Sequence, residues 1–211
     1  MIFSLIEYEK IRYGVFKWRY ELATVNKIIL AFLVASLTGA AAQIRIPLPF
    51  TPVPITGQTF AVLLSGMILG RCYGGLSQLF YVGLGIAGVP WFSGWRGGVS
   101  HLVGPTGGYI IGFILAALFV GYFTERYIKF RYFLPSLFIM VVANFLFIHG
   151  FGLLHLYLWS LLAKKAPVSF STLLMMGTLP FIPGDIIKAT GAALLTEGIT
   201  PKRAYNGEID A

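Results

Sequence analysis

Long apolar runs leave this chain few folds to choose from. Residues near 27–44, 57–70, 72–88, 106–123, 132–160 and 170–196 are almost continuously hydrophobic, with Gly, Pro or charged residues between them. Hydrophobic residues make up 57% of the sequence and charged ones only 11%, where a soluble domain carries about a quarter. A helix needs about 20 apolar residues to cross a bilayer, and only helices or closed barrels satisfy their own backbone in lipid. The expected fold is an all-α integral membrane protein with six transmembrane helices. The second and third runs are short and rich in glycine, which predicts tilted helices, and the fifth is long enough to bend near Gly150 or Gly152.

With 211 residues, six such helices leave no length for a separate soluble domain. Residues 1–26 read as a basic cytoplasmic segment, 27–196 as one membrane domain and 197–211 as a cytoplasmic tail. The basic lead and the apolar stretch ending at Ala40-Ala41-Ala42 have the outline of a secretory signal. Because the lead is long and five similar runs follow, that stretch reads as an uncleaved first helix. A net charge of +8 would suggest nucleic acid in a soluble protein. Here the basic residues lie between membrane segments and form no aromatic-plus-basic surface, so they read as orientation signals and no nucleic-acid partner is expected. Placing both termini in the cytoplasm puts Lys10, Arg12, Lys17, Arg19, Lys27, Arg71, Arg126, Lys129, Arg131, Lys202 and Arg203 inside. Only Arg45, Arg96, Lys164 and Lys165 are then outside, as the positive-inside rule requires.

Two outward connections, RIPLPFTPVPITGQTF (Arg45–Phe60) and GVPWFSGWRGGVSHLVGPTGGY (Gly88–Tyr109), are long and apolar where a solvated loop is usually polar. Bearing Phe50, Trp91, Phe92 and Trp95, they are expected to fold over the helix ends and close a cavity on the outer face. GLGIAG (Gly83–Gly88) fits the dinucleotide pattern letter by letter, but it ends a membrane helix and runs into Val89-Pro90. Close helix packing explains it better. GPTGGY (Gly104–Tyr109) lacks the Gly-Lys-Ser/Thr ending of a phosphate loop, so its bare backbone points to tight turns or close approach to a neighbour or ligand.

The strongest chemical signal is PFIPGDIIKATGAALL (Pro180–Leu195). Asp185 and Lys188 stand three apart inside an apolar run and so share a helix face. A charge at membrane depth costs at least ~2.5–3.5 kcal/mol, so such residues are usually functional. The break at Pro183-Gly184 suggests a helix restarting there with Asp185 as its cap. The alternative is a mutual salt bridge serving that cap alone. Gln58 and Asn144 are amides in apolar segments, either ligand partners or interhelical glue, and Arg96 meets either an anionic ligand or solvent. Ala31, Ala35 and Gly39 form a small-residue ridge for close packing, within the chain or against a partner subunit. His101, His149 and His155 have no short ligand spacing, Cys72 stands alone, and neither a catalytic triad nor a Walker motif is present. No metal, cofactor or catalytic residue is expected.

Taken in order, PVPITGQTFAVLLSGMILGRCYGGLSQLFYVGLGIAGVPWF, GPTGGYIIGF and LPFIPGDIIKA resemble the BioY family, the biotin-specific S components of energy-coupling-factor (ECF) vitamin transporters. The resemblance covers residues 27–196. It implies a six-helix protein of the bacterial cytoplasmic membrane, in contact with lipid, that captures biotin outside and works with a coupling subunit and a pair of ATP-binding subunits. It assigns Asp185 and Lys188 to the ligand pocket and makes Ala31, Ala35 and Gly39 a docking surface for the coupling subunit. Biotin's chemistry then places Asp185 on the ureido N–H groups or behind Lys188, and Lys188 or Arg96 on the carboxylate. Tyr81, Phe92 and Tyr109 pack the ring, with Gln58 and Asn144 as neutral partners. The N-terminal extension is longer and more basic than such a protein needs. A second expectation is an S component for another small vitamin, and a third, of a different class, is an intramembrane enzyme using Asp185 as a base.

Overall fold

The computed structural model describes residues 2–209 other than 166 and 206, and the side chains of all of these but 2–5 and 164. The side chain of Lys164, counted above among the outward charges, and the extreme ends of the two terminal segments lie outside what the structure describes. The described residues are mostly helical: α1 (Ile2–Glu21), α2 (Thr24–Ala41), α3 (Gln58–Ile86), α4 (Val99–Val103), α5 (Gly107–Arg126), α6 (Phe133–Val142), α7 (Gly150–Lys164), α8 (Phe170–Gly177) and α9 (Ile182–Ile199). Strands β1 (Arg45–Ile46) and β2 (Ile55–Thr56) pair antiparallel, Arg45 opposite Thr56. They fold the proline-rich connection after α2 into a small hairpin. Residues 1–26, read from the sequence only as a basic segment, are mostly the helix α1.

Among the described residues five helical stretches are long and apolar enough to cross a membrane: Thr24–Ala41, Gln58–Ile86, Gly107–Arg126, Phe133–Ala163 and Phe170–Ile199. The chain is a multi-pass membrane protein. Two of the six sequence runs meet in α3, which does not continue straight: Gly70 sits at φ 76°, ψ −175°. The Gln58 amide donates to the Tyr81 hydroxyl at 2.6 Å, whereas 23 positions along a straight helix would span ~35 Å. The chain therefore doubles back at Gly70, and each arm is shorter than a full span. Glycine is required there both for its positive φ and because an added Cβ would lie 2.9 Å from the Glu125 carboxylate.

α5 runs along both arms of α3. A Cβ on Gly66 would sit 2.5 Å from the Ala117 carbonyl, so the two backbones approach more closely than side chains allow. Similarly, Ala31, Ala35 and Gly39 are buried on the face of α2 that packs on the rest of the bundle, and a Cβ on Gly39 would meet the Cβ of Trp91 at 2.9 Å. Of the two readings the ridge allowed, the structure shows internal packing. The outer face of α2 carries Val25, Ile29, Phe32, Leu33 and Leu37, all exposed.

Just upstream of Gly150 and Gly152, where a bend is expected, Ala143–His149 is π-helical between α6 and α7. Such insertions widen a helix locally and recur at functional sites. At one end of the bundle Arg131, 1% exposed, pins the C-terminal tail. Its Nε donates to Thr124 O at 2.9 Å, its Nη1 to Pro201 O and Arg203 O, and its Nη2 meets Glu208 at 2.6 Å. Arg12, Arg19 and Lys202 gather at the same end, whereas Arg45 and Arg96 lie at the opposite one around a cavity.

Candidate functional site

A cavity of about 520 Å³ opens beneath the two apolar connections, within the size range of small-molecule sites. Its walls come from the β-hairpin, the start of α3, the α4 region, α5, the π-helical segment and the first turn of α9. Of the residues singled out in the sequence, Gln58, Arg96, Tyr109, Asp185 and Lys188 line it. Asn144, Tyr81 and Phe92 stand behind that wall. The apolar connections divide: Phe92 is buried and Trp91 is tied to the Tyr81 carbonyl by its indole N–H at 2.8 Å, while Phe50 and Trp95 remain exposed.

The helix expected to restart at Asp185 begins earlier, at Ile182, with Pro183 in its first turn. Asp185 makes no capping hydrogen bond, which corrects that expectation. Its carboxylate, 4% exposed, turns toward neighbouring elements. Oδ2 accepts from Asn144 Nδ2 at 3.1 Å and lies 2.7 Å from His149 Nε2, and Oδ1 meets Lys188 Nζ at 2.5 Å. Lys188 also donates to the Thr56 carbonyl at 3.1 Å and the Thr59 hydroxyl at 3.2 Å. The pair does not serve a cap alone. It joins four elements at the cavity wall.

His149 Nδ1 lies 3.0 Å from the Gly177 carbonyl and 3.2 Å from the Thr178 hydroxyl, while Nε2 lies 2.7 Å from Asp185 Oδ2. The ring is thus held between the base of α8 and the carboxylate. Arg45 and Arg96 line the same cavity. Among the described residues no group of three or more His, Cys, Asp or Glu is placed to hold a metal ion.

Tyr109 closes the wall beside this cluster, donating to Gly177 O at 2.8 Å with its ring edge-on to His149. Gln58 lines the cavity with its amide occupied, accepting from Thr56 Oγ1 at 2.7 Å and donating to Tyr81. Phe92 stacks on His101, ring centroids 5.0 Å apart, and fills the space left by Gly85, where a Cβ would come within 2.2 Å of its ring. Of the three glycines in GLGIAG, Gly85 alone makes such a close approach, while nothing lies within 4 Å of a Cβ on Gly83 or Gly88. In GPTGGY the glycines admit a neighbour: Cβ atoms on Gly107 and Gly108 would strike Leu102 O at 1.6 Å and Phe151 O at 2.3 Å. Of the four buried side-chain polar atoms without a partner among the described residues, two are near the cavity, Ser93 Oγ on its wall and Asn144 Oδ1 behind it.

His149 was missed because its spacing matched no metal or catalytic pattern. The available signal was the one that singled out Asn144, a polar side chain in an apolar run. Five residues apart, the two would point about 140° away from each other on an α-helix. In the π-helical segment both reach Asp185. Arg45, Thr56, Thr59 and His101 are further wall residues that polarity alone did not mark. His101 titrates below its ordinary value of 6.5, first because it is buried and then because Arg96 and Arg45 are near.

Residues 16–205 match the BioY family model. A protein of Methanothermobacter thermautotrophicus named "Probable biotin transporter BioY" is 56% identical over 70% of this chain and 94% of its own length. "Biotin transporter BioY" of Thermotoga maritima is 38% identical over 81% of this chain and 94% of its own. Among solved structures, the 2.1 Å crystal structure of the S-component for biotin from an ECF-type ABC transporter superposes with a TM-score of 0.73. That match has 26% identity and covers 83% of this chain and 93% of the other. The family model spans every element that builds the cavity, and the chain belongs to the BioY family.

Proposed function

We propose that this protein captures biotin at the outer face of the cell membrane, as the substrate-binding subunit of an ECF-type transporter. It is a transport protein and not an enzyme. One observation carries the reading: a linked Asp185–His149–Lys188 cluster faces a cavity of about 520 Å³, also lined by Arg45 and Arg96, in a chain of this family. Biotin offers a ureido ring, an apolar sulfur ring and a carboxylate, which suits an apolar cavity with a few aimed polar groups. Both Asp185 oxygens are already engaged, which supports its role as the group that orients Lys188. Lys188 and Arg96 are the candidate partners of the ligand carboxylate. Both termini are assigned to the cytoplasm, supported by the basic residues collected at the end away from the cavity. A coupling subunit and ATP-binding subunits complete the assembly.

Titration of purified protein with biotin tests this, with mass spectrometry of the released ligand. Low-micromolar or tighter binding is expected, sharply weakened in Lys188→Ala, with biotin returned unchanged. Comparing biotin with its methyl ester in Lys188→Ala and Arg96→Ala identifies the carboxylate partner: the variant that ceases to distinguish them has lost it. Tight binding of another vitamin of similar size, with none of biotin, would overturn the assignment.

A further inference from the structure

Helix α1 lies largely ahead of the family match, which begins at residue 16. It runs across one end of the bundle. Near its start Tyr8 donates to Gly198 O at 2.6 Å, and Arg12 donates to Glu197 O and Gly198 O at 3.0 and 2.9 Å, at the end of α9. Near its finish Arg19 donates to Ile68 O beside the Gly70 turn and to Tyr205 Oη. A helix bridging the ends of two membrane helices lies near the plane of the bilayer surface.

Around its axis, at about 100° per residue, α1 shows four faces, one of them a mixed flank of Ile6, Glu9, Tyr13 and Tyr20. Arg12, Phe16 and Arg19 face the bundle, Phe16 being buried. Lys10, Gly14, Lys17 and Glu21 are exposed on the far side. Between them Ile11, Val15 and Trp18 form an apolar stripe, 58%, 53% and 57% exposed. Leu22, half-buried, links α1 to α2, whose exposed outer face opens with Val25 and Ile29. That face meets lipid, because α2 is a membrane span with few of its residues buried.

We propose that α1 is an interfacial helix seated in the inner leaflet, with Ile11, Val15 and Trp18 at the acyl boundary and Lys10 and Lys17 among the headgroup phosphates. The lipid-facing surface of α2, which begins four residues after α1 ends, selects lipid as the occupant of the stripe. Apolar residues flanked by lysines, with a tryptophan at the boundary, are the chemistry of helices that lie in a membrane surface. The assignment holds whatever ligand fills the cavity.

Spin labels test it. In a Cys72→Ser background, single cysteines at positions 10, 11, 14, 15, 17 and 18 are labelled and the protein is reconstituted at one copy per nanodisc of phosphatidylcholine and phosphatidylglycerol. Power saturation then compares oxygen with a water-soluble nickel chelate. The oxygen-to-nickel accessibility ratio is expected to be at least about fivefold higher at 11, 15 and 18 than at 10, 14 and 17, as for a helix in the headgroup plane. High nickel accessibility at the stripe would show that it faces water and would overturn the proposal. So would exclusion of both reagents, which would mean that protein covers it. Each labelled variant must unfold at the wild-type temperature to enter the comparison.

Discussion

Asp185 Oδ2 lies 2.7 Å from Nε2 of His149, a residue 36 positions earlier in the chain. The contact turns an acid–lysine pair on one helix into a cluster spanning α9, the π-helical segment and the base of α8. Each group holds another in place: Gly177 fixes the His149 ring, His149 and Asn144 hold the carboxylate, and the carboxylate holds Lys188.

Asp185→Asn should therefore damage more than ligand contact. It leaves Lys188 and His149 without their shared carboxylate, and removing one partner of a buried pair costs about 3–5 kcal/mol. Biotin affinity is expected to fall at least about 100-fold, with thermal stability reduced in the absence of ligand. Calorimetric titration and melting curves of the variant check both effects. Unchanged stability would show that the cluster is not a mutual support.

Gly108 and Gly14 make a matched contrast. A Cβ on Gly108 would lie 2.3 Å from Phe151 O and 2.4 Å from His155 Cβ, between α5 and α7, whereas nothing lies within 4 Å of one on Gly14. Gly108→Ala should destabilise by about 1–3 kcal/mol through overpacking. Gly14→Ala, in the exposed part of α1, should stabilise by up to about 1 kcal/mol. Thermal unfolding in detergent reads the two in opposite directions.

Ala35→Trp tests the ridge. Since Ala35 is fully buried within the chain, the bulky ring has no space in α2's packing. Expression and stability should both fall, and biotin binding with them. A well-folded variant that binds biotin but fails to assemble with a coupling subunit would instead restore the ridge as a docking surface.

His101 should impose a pH dependence of its own. Its folded-state pKa is lowered by burial and then by Arg96 and Arg45, so the unfolded chain takes up a proton that the folded one resists. The penalty appears as pH falls below about 6.5, the unfolded value, and is complete once pH passes the lower folded one. Wild-type protein should lose stability on acidification relative to His101→Gln, while the two run parallel above neutrality. Melting temperatures across that range decide it.

By itself the sequence determined that the chain is a helical membrane protein, where its apolar runs fall, and that Asp185 and Lys188 share a face. Those properties are local, set by hydropathy over about 20 residues and by helix periodicity. Only the tertiary structure decided which residues meet across the bundle. The reversal at Gly70 joins Gln58 to Tyr81, the π-helical segment brings Asn144 and His149 to one carboxylate, and packing of α2 turns Ala31, Ala35 and Gly39 inward. Such pairings depend on where the backbone turns and which helices pack together, and neither hydropathy nor spacing along a single helix encodes that choice.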